Sequence, residues 1–293
     1  MPEPLLAIDR LTVTYPGRGF RARPFIAVHE VSLDVRPGET VGLVGESGSG
    51  KSSLGRAILG LAPVTAGSLR YRGNDIGRAG PGEWRRLAGD LQVVFQDPYS
   101  SLNPALTIET ILMEPLLAGG VPRREASGRI RELLDAVGLP RDSLDRLPRE
   151  FSGGQRQRIA IARALSVRPR LIVCDEPVSA LDLSTQARVL RLLREIQENT
   201  GVAYLFISHD LSVVRHLSHR VAVMFRGRIL EWGDCAQVTE QPQHPYTQRL
   251  LLAAPIADPL RQAERRERWL AVRSAPLDAA RMPRPAPDLP QPR

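Results

Sequence analysis

Residues 40–52 read TVGLVGESGSGKS, and this stretch decides the fold. Thr40 to Val44 is a short apolar run of the kind that forms a buried strand. Gly45-Glu46-Ser47-Gly48-Ser49-Gly50-Lys51-Ser52 fits the pattern G-x-x-x-x-G-K-[ST], and Ser52 to Leu59 reads as a helix. Strand, glycine-rich turn and helix in that order make a phosphate-binding loop. The glycines let backbone N–H groups turn inward around phosphate oxygens, and the helix N-terminus adds the positive end of its dipole. Lys51 is then expected to reach the β- and γ-phosphates of a nucleoside triphosphate. Ser52 is expected to ligate Mg²⁺, and Ser53 to line the same site.

Composition sharpens the reading of position 51. The 293 residues carry a formal charge of +8, with 42% hydrophobic and 25% charged residues, the profile of a globular protein with a sizeable core. Of the 40 basic residues, Lys51 is the one lysine and the other 39 are arginines. A compact ammonium on a thin stem fits inside a tight loop, whereas a planar guanidinium bonds in a fixed fork. A basic balance can signal nucleic acid or a membrane surface. Here the arginines are scattered among acids, so they read as surface composition and no nucleic-acid partner is expected.

The rest of the chain frames the loop. Residues 4–14 and 25–35 read as an antiparallel strand pair around a basic Gly/Pro loop, Pro16 to Pro24. Strands are expected at 67–72, 91–95, Leu171–Cys174 and Val202–Ile207, and a hairpin at Val221–Phe225 and Arg228–Trp232. Helices are expected at Ala126–Val137, Gly154–Val167, Thr185–Gln197 and Leu211–Leu217. Strands alternating with helices imply an α/β core with a mostly parallel sheet. The stretch 97–167 interrupts that alternation and reads as a helical subdomain. From Pro276 to Arg293 there are six prolines in 18 residues, so 258–293 reads as a Pro/Arg-rich tail after a domain of residues 1–257. The longest apolar run, Val202 to Ile207, is far short of the roughly 20 residues a membrane helix needs. The N-terminus lacks the pattern of a signal peptide. Cys174 and Cys235 show no metal-site spacing, and Cys174 reads as buried packing.

Two further stretches carry chemistry. Leu171-Ile172-Val173-Cys174-Asp175-Glu176 is an apolar strand ending in two acids. Asp175 is placed to hold the Mg²⁺ shell and Glu176 to polarise an attacking water. Phe151-Ser152-Gly153-Gly154-Gln155 opens a helix. Ser152 caps it, and the glycines allow an anion close to the backbone. The phosphate held by Lys51 is already engaged, so another subunit's nucleotide is the natural ligand of Ser152–Gln155.

Together these residues resemble the ABC-type ATPases, the nucleotide-binding subunits of transporters. FSGGQ is similar to that family's LSGGQ signature, with Phe151 in place of Leu. The resemblance spans roughly residues 4–257. It implies a P-loop NTPase with an antiparallel β subdomain and a helical signature subdomain. By the same resemblance Tyr15 stacks on adenine. Gln96 is the glutamine that senses Mg²⁺ and the membrane partner, Asp182 lies in the D-loop, and His209 sits near the γ-phosphate. ATP and Mg²⁺ are the implied cofactors.

Gln96 to Pro104, QDPYSSLNP, and His244-Pro245-Tyr246-Thr247 resemble the oligopeptide, dipeptide and nickel importers. Asp97-Pro98-Tyr99 and the 16–24 insertion look more like the F-type subunit than its D-type partner. Nothing after Cys235 is cysteine, so an iron–sulfur centre found in parts of that group is not implied. The implied assembly is a head-to-tail pair with a second ATPase subunit, the same chain or a D-type paralogue. It sits with two transmembrane permease subunits at the cytoplasmic face of the membrane, and a solute-binding protein acts indirectly from outside. An exporter ATPase and a non-transport ABC ATPase are the alternatives; the HPYT segment speaks against the first and the single compact core against the second.

Overall fold

A computed structural model describes residues 3–17 and 23–253. In chain order its elements are β1 (Leu6–Tyr15), β2 (Phe25–Val35), β3 (Thr40–Val44), α1 (Lys51–Ile58), β4 (Val64–Tyr71), β5 (Asn74–Asp75), α2 (Pro81–Leu87) and β6 (Leu91–Val94). Helices α3 (Pro98–Ser101), α4 (Ile108–Ala118), α5 (Arg123–Ala136) and α6 (Gly153–Leu165) follow, with two 3₁₀ turns before α6. The chain then returns to alternation: β7 (Leu171–Asp175), α7 (Leu183–Thr200), β8 (Ala203–Ser208), α8 (Leu211–Arg215), β9 (Arg220–Phe225), β10 (Arg228–Asp234), α9 (Cys235–Glu240) and α10 (Pro245–Ala253). The expected domain end near 257, the 258–293 tail and residues 18–22 of the basic loop lie outside the described residues.

Two sheets form. The first is antiparallel, in the order β2-β1-β4-β5, and includes the expected pair, with Leu6 opposite Val35 and Tyr15 opposite Phe25. The second has the order β10-β9-β3-β8-β7-β6. Its strands β9, β3, β8, β7 and β6 run parallel, and β10 turns back antiparallel. Register then fixes the site: Val44 pairs with Ser208, and Asp175 pairs with Ile207. Gly45, Glu176 and His209 therefore all leave the sheet at the carboxyl ends of neighbouring strands, where open α/β sheets bind their ligands.

Alternation along the buried strands separates two cores. Leu171, Val173, Leu205 and Ile207 face a cluster shared with α1 and the antiparallel sheet. Ile172, Cys174, Tyr204 and Phe206 face a cluster shared with α4, α5, α6 and α7. Cys174 is fully buried and its thiol pKa is pushed up by desolvation, in keeping with a packing role.

Arg220 ties the two sheets together. Its guanidinium donates to the Asp34 carboxylate from Nη2 at 2.8 Å and to Glu39 Oε2 at 2.8 Å, and it lies over the Trp232 ring at 4.6 Å. Burial alone would disfavour its charge, but hydrogen bonds and attraction from Glu39 and Asp34 prevail and raise its pKa. Removing one partner of a buried pair leaves the other uncompensated. Arg220→Ala is expected to cost about 3 kcal/mol and to lower the thermal midpoint by roughly 10 °C. Calorimetric unfolding checks it, and an unchanged midpoint would show the clamp to be idle.

Some elements extend past the expectation. The helix read at 185–197 runs over Leu183–Thr200, because Asp182 caps it early and Gly201 ends it in the left-handed region at φ 70°. Helix α2 was not expected: seven residues with Trp84 and Leu87 as the larger apolar side chains are too short to show a helical period. Helix α10 begins in the HPYT segment, where no helix was expected from the sequence. Pro245 at its first position and the apolar Leu250–Leu251 pair are the signals that mark it.

Candidate active site

The phosphate loop is held by its own lysine. Lys51 is 4% exposed, and its Nζ donates to the carbonyls of Gly45 and Glu46, each at 2.8 Å. A small ammonium with three donors can make both bonds from within the loop, which answers the question raised by a single lysine among arginines. Burial lowers the Lys51 pKa, and the charges of Glu176, Asp175 and Glu46 oppose that shift. Gly50 has φ 106°, and a Cβ there would lie 2.2 Å from the Ala27 carbonyl oxygen, so only glycine fits. The loop is thereby pressed against β2 and delivers straight into α1, whose first N–H groups stay free for an anion.

The strand-end acids sit where the sequence reading expected them. Ser52 Oγ donates to Asp175 Oδ1 at 2.9 Å. Burial raises the Asp175 pKa, and the bond from Ser52 pulls it back down. A partly buried carboxylate facing a hydroxyl is a pair of hard oxygen donors, the chemistry that suits Mg²⁺. A cation there would also offset the cost of burying the carboxylate. Glu176 lies next to this pair, with Oε2 2.9 Å from Nδ1 of His209. A carboxylate can only accept, so the proton in this contact is on Nδ1 of His209. The Glu176 backbone is in the left-handed region at φ 48°, unusual for a residue with a side chain, and its N–H bonds the carbonyl of Ile207 at 3.0 Å. Strain of this kind persists only where surrounding contacts impose it. Here it turns the carboxylate out of the β7 line toward His209.

Tyr15 lies beside the same loop, its hydroxyl donating to Ser53 Oγ at 3.4 Å. Gln96 is exposed, two residues past β6 on the same rim of the sheet. Glu46, Ser47 and Gly48 are exposed on the loop, and Ser49 is buried beneath it.

Residues 152–155 form a second group. Ser152 Oγ accepts from the Gln155 N–H at 3.4 Å, and Gln155 Oε1 accepts from the Ser152 N–H at 2.9 Å, a reciprocal capping box at the start of α6. Phe151 is buried, with the Arg146 guanidinium over its ring at 4.5 Å. The expectation that both glycines serve approach to an anion is incomplete. A Cβ on Gly154 would lie 2.4 Å from Thr185 Cγ2, so this glycine lets α6 pack on α7. Asp182 caps α7, accepting from the Thr185 N–H at 3.0 Å and the Ser184 hydroxyl at 2.7 Å, which holds its carboxyl well below the usual range. The signature stretch and the Asp182 turn are thus one packed unit. That pairing was not visible in the sequence, where Thr185 looked like an ordinary helix residue.

The sequence reading also missed a contact to the loop. Tyr246 of α10 accepts a hydrogen bond from the Glu46 N–H at 3.1 Å. The HPYT segment was singled out only as a marker of subclass.

Comparison with known proteins adds to this geometry. A family model described as ABC transporter matches residues 28–179. The chain is 50% identical over 273 residues to the oligopeptide transport ATP-binding protein OppF of Lactococcus lactis, covering 92% of this chain and 86% of that protein. It is 48% identical over 269 residues to the glutathione import ATP-binding protein GsiA of Escherichia coli K12, where it covers 90% of this chain but only 43% of that longer protein. Among solved structures, the ATP-binding cassette MJ0796, a dimer in a post-hydrolysis state with ADP and Pi, matches with a TM-score of 0.70 and 29% identity, over 78% of this chain and 98% of that one.

Proposed function

Since this chain belongs to the ABC transporter family, we propose that it is the ATP-binding and ATP-hydrolysing subunit of an importer for peptides or related small solutes. The observation that carries the reading is the convergence at one sheet rim of the Lys51-filled loop, the Ser52–Asp175 pair and the Glu176–His209 pair. The glutathione import relative at 48% identity supports the direction of transport, and it and the oligopeptide transport relative at 50% support the solute class.

In this reading ATP lies with its phosphates over Gly45–Ser52 and its adenine against Tyr15. Ser52, Asp175 and Gln96 would hold Mg²⁺, which supplies neutralising charge to the phosphates. Glu176 takes the proton of the attacking water and His209 orients it and the γ-phosphate. Such catalysis is mainly positioning and charge stabilisation. Ser152–Gln155 and Asp182 face the ATP of a second ATPase subunit, an identical chain or a paralogue, in a head-to-tail pair. Contacts to the γ-phosphate favour the closed pair, and hydrolysis removes that bias. The helices near 97–150 carry the movement to two permease subunits at the cytoplasmic face of the membrane. In this reading those partners supply the membrane path. Among the described residues no helix is long and apolar enough to cross a membrane.

Co-expression with permease subunits of the peptide-importer class and reconstitution in vesicles tests this. ATP-dependent peptide uptake is expected, and it is expected to vanish with Lys51→Ala in this chain. Uptake that persists with that variant, or ATP turnover that no permease alters, overturns the reading.

A further inference from the structure

Helix α10 lies outside the residues matched by the family model, yet it touches the phosphate loop. Tyr246 is 2% exposed, and its ring packs on Phe225 with centroids 4.5 Å apart. Its hydroxyl accepts from the Glu46 N–H at 3.1 Å. That N–H and the Gly45 carbonyl belong to one peptide plane, and the Gly45 carbonyl takes a hydrogen bond from Lys51 Nζ at 2.8 Å. One peptide plane is thus fixed at both ends, by the lysine on one side and by the tyrosine on the other.

The tyrosine is itself delivered by a buried clamp. Glu231 of β10, 6% exposed, accepts the backbone N–H groups of Gln243 at 2.7 Å and His244 at 3.1 Å. His244 Nδ1 accepts the Tyr246 N–H at 3.1 Å. Burial pushes the Tyr246 hydroxyl up to about 12, so it stays a neutral group near pH 7 with a lone pair for Glu46.

We propose that Tyr246 is a positioning residue for ATP: it orients the Gly45–Glu46 peptide that seats Lys51, and so makes nucleotide affinity depend on helix α10. This rests on the reading of Gly45–Ser52 as the ATP loop. It gives the HPYT segment a physical task at the nucleotide site of its own chain.

Tyr246→Phe removes the acceptor and keeps the ring against Phe225. One neutral hydrogen bond is at stake, so the Kd for a fluorescent ATP analogue, measured on the full chain, is expected to rise about threefold to tenfold. The thermal midpoint without nucleotide is expected to stay within about 5 °C of wild type, since the loss of one neutral hydrogen bond moves a domain of this size by only a few degrees. Glu231→Gln, which weakens the clamp, is expected to raise Kd in the same direction. The double variant is expected to bind no more weakly than the product of the two effects, and in fact less weakly than that product, because both act through one peptide. An unaltered Kd in Tyr246→Phe overturns the inference, as does a fall in thermal midpoint with no change in Kd. A wild-type chain that bound no ATP would overturn the functional reading and this inference with it. Wild-type binding with an unaltered phenylalanine variant overturns this inference alone.

Discussion

Lys51→Ala is expected to weaken ATP binding by at least about a hundredfold, close to 3 kcal/mol. The magnitude follows from what the ammonium does. It is the one cationic side chain inside the loop, and a charge-assisted bond to phosphate is among the stronger polar interactions. Its two bonds to the Gly45 and Glu46 carbonyls show that the loop is already wrapped around it. Alanine therefore removes both the charge and the strut that shapes the loop. Lys51→Arg is expected to fail as well, since a guanidinium cannot bond both carbonyls from a 4% exposed position without displacing the turn. Titration calorimetry checks both variants, and wild-type affinity in the alanine variant would remove the phosphate-loop reading. Folding is expected to survive in each, because the core clusters do not include Lys51.

Glu176→Gln is expected to leave ATP bound and to lower turnover by about 10²- to 10⁴-fold, the range for loss of a general base. The amide keeps the shape of the side chain, and its oxygen can still accept from Nδ1 of His209, so the 2.9 Å contact can persist. What it loses is basicity. The left-handed backbone at Glu176 is set by the bond of its N–H to Ile207, which the substitution does not touch. Removal of one negative charge near Lys51 would, if anything, favour the phosphates slightly, since Glu176 is the strongest Coulombic influence on that lysine. Loss of binding in parallel with turnover would point instead to a structural role.

The parts of this site that were legible in the sequence are those where chemistry and local geometry coincide. A strand, a turn permitted by three glycines (Gly45, Gly48 and Gly50) and a helix start are read together at 40–52 because the loop is contiguous. Asp175 and Glu176 were legible because the phosphate loop stands in the same chain; alone, an apolar strand that ends in acids reads as an ordinary strand end. Tyr204 and Leu205 alternate onto the two faces of the sheet, and that alternation is hidden in a run where every residue is apolar. Likewise the contacts of Gly154 with Thr185 and of Tyr246 with Glu46 join residues 31 and 200 positions apart. No local pattern encodes such pairs; the first needs α6 packed on α7, and the second needs β9 beside β3, so that Phe225 and the ring of Tyr246 come to the rim of the phosphate loop. The positive φ at Glu176 is invisible for the same reason, because glutamate does not advertise a left-handed backbone as glycine does.

Glu176, beside the Lys51 loop and the Ser52–Asp175 pair, is the group proposed to drive ATP hydrolysis. Its most direct test is the fate of radiolabelled ATP bound to the chain and incubated with Mg²⁺, in wild type and in Glu176→Gln. The expected result is ADP recovered from the wild type and intact ATP from the variant. ADP recovered equally from both would contradict it.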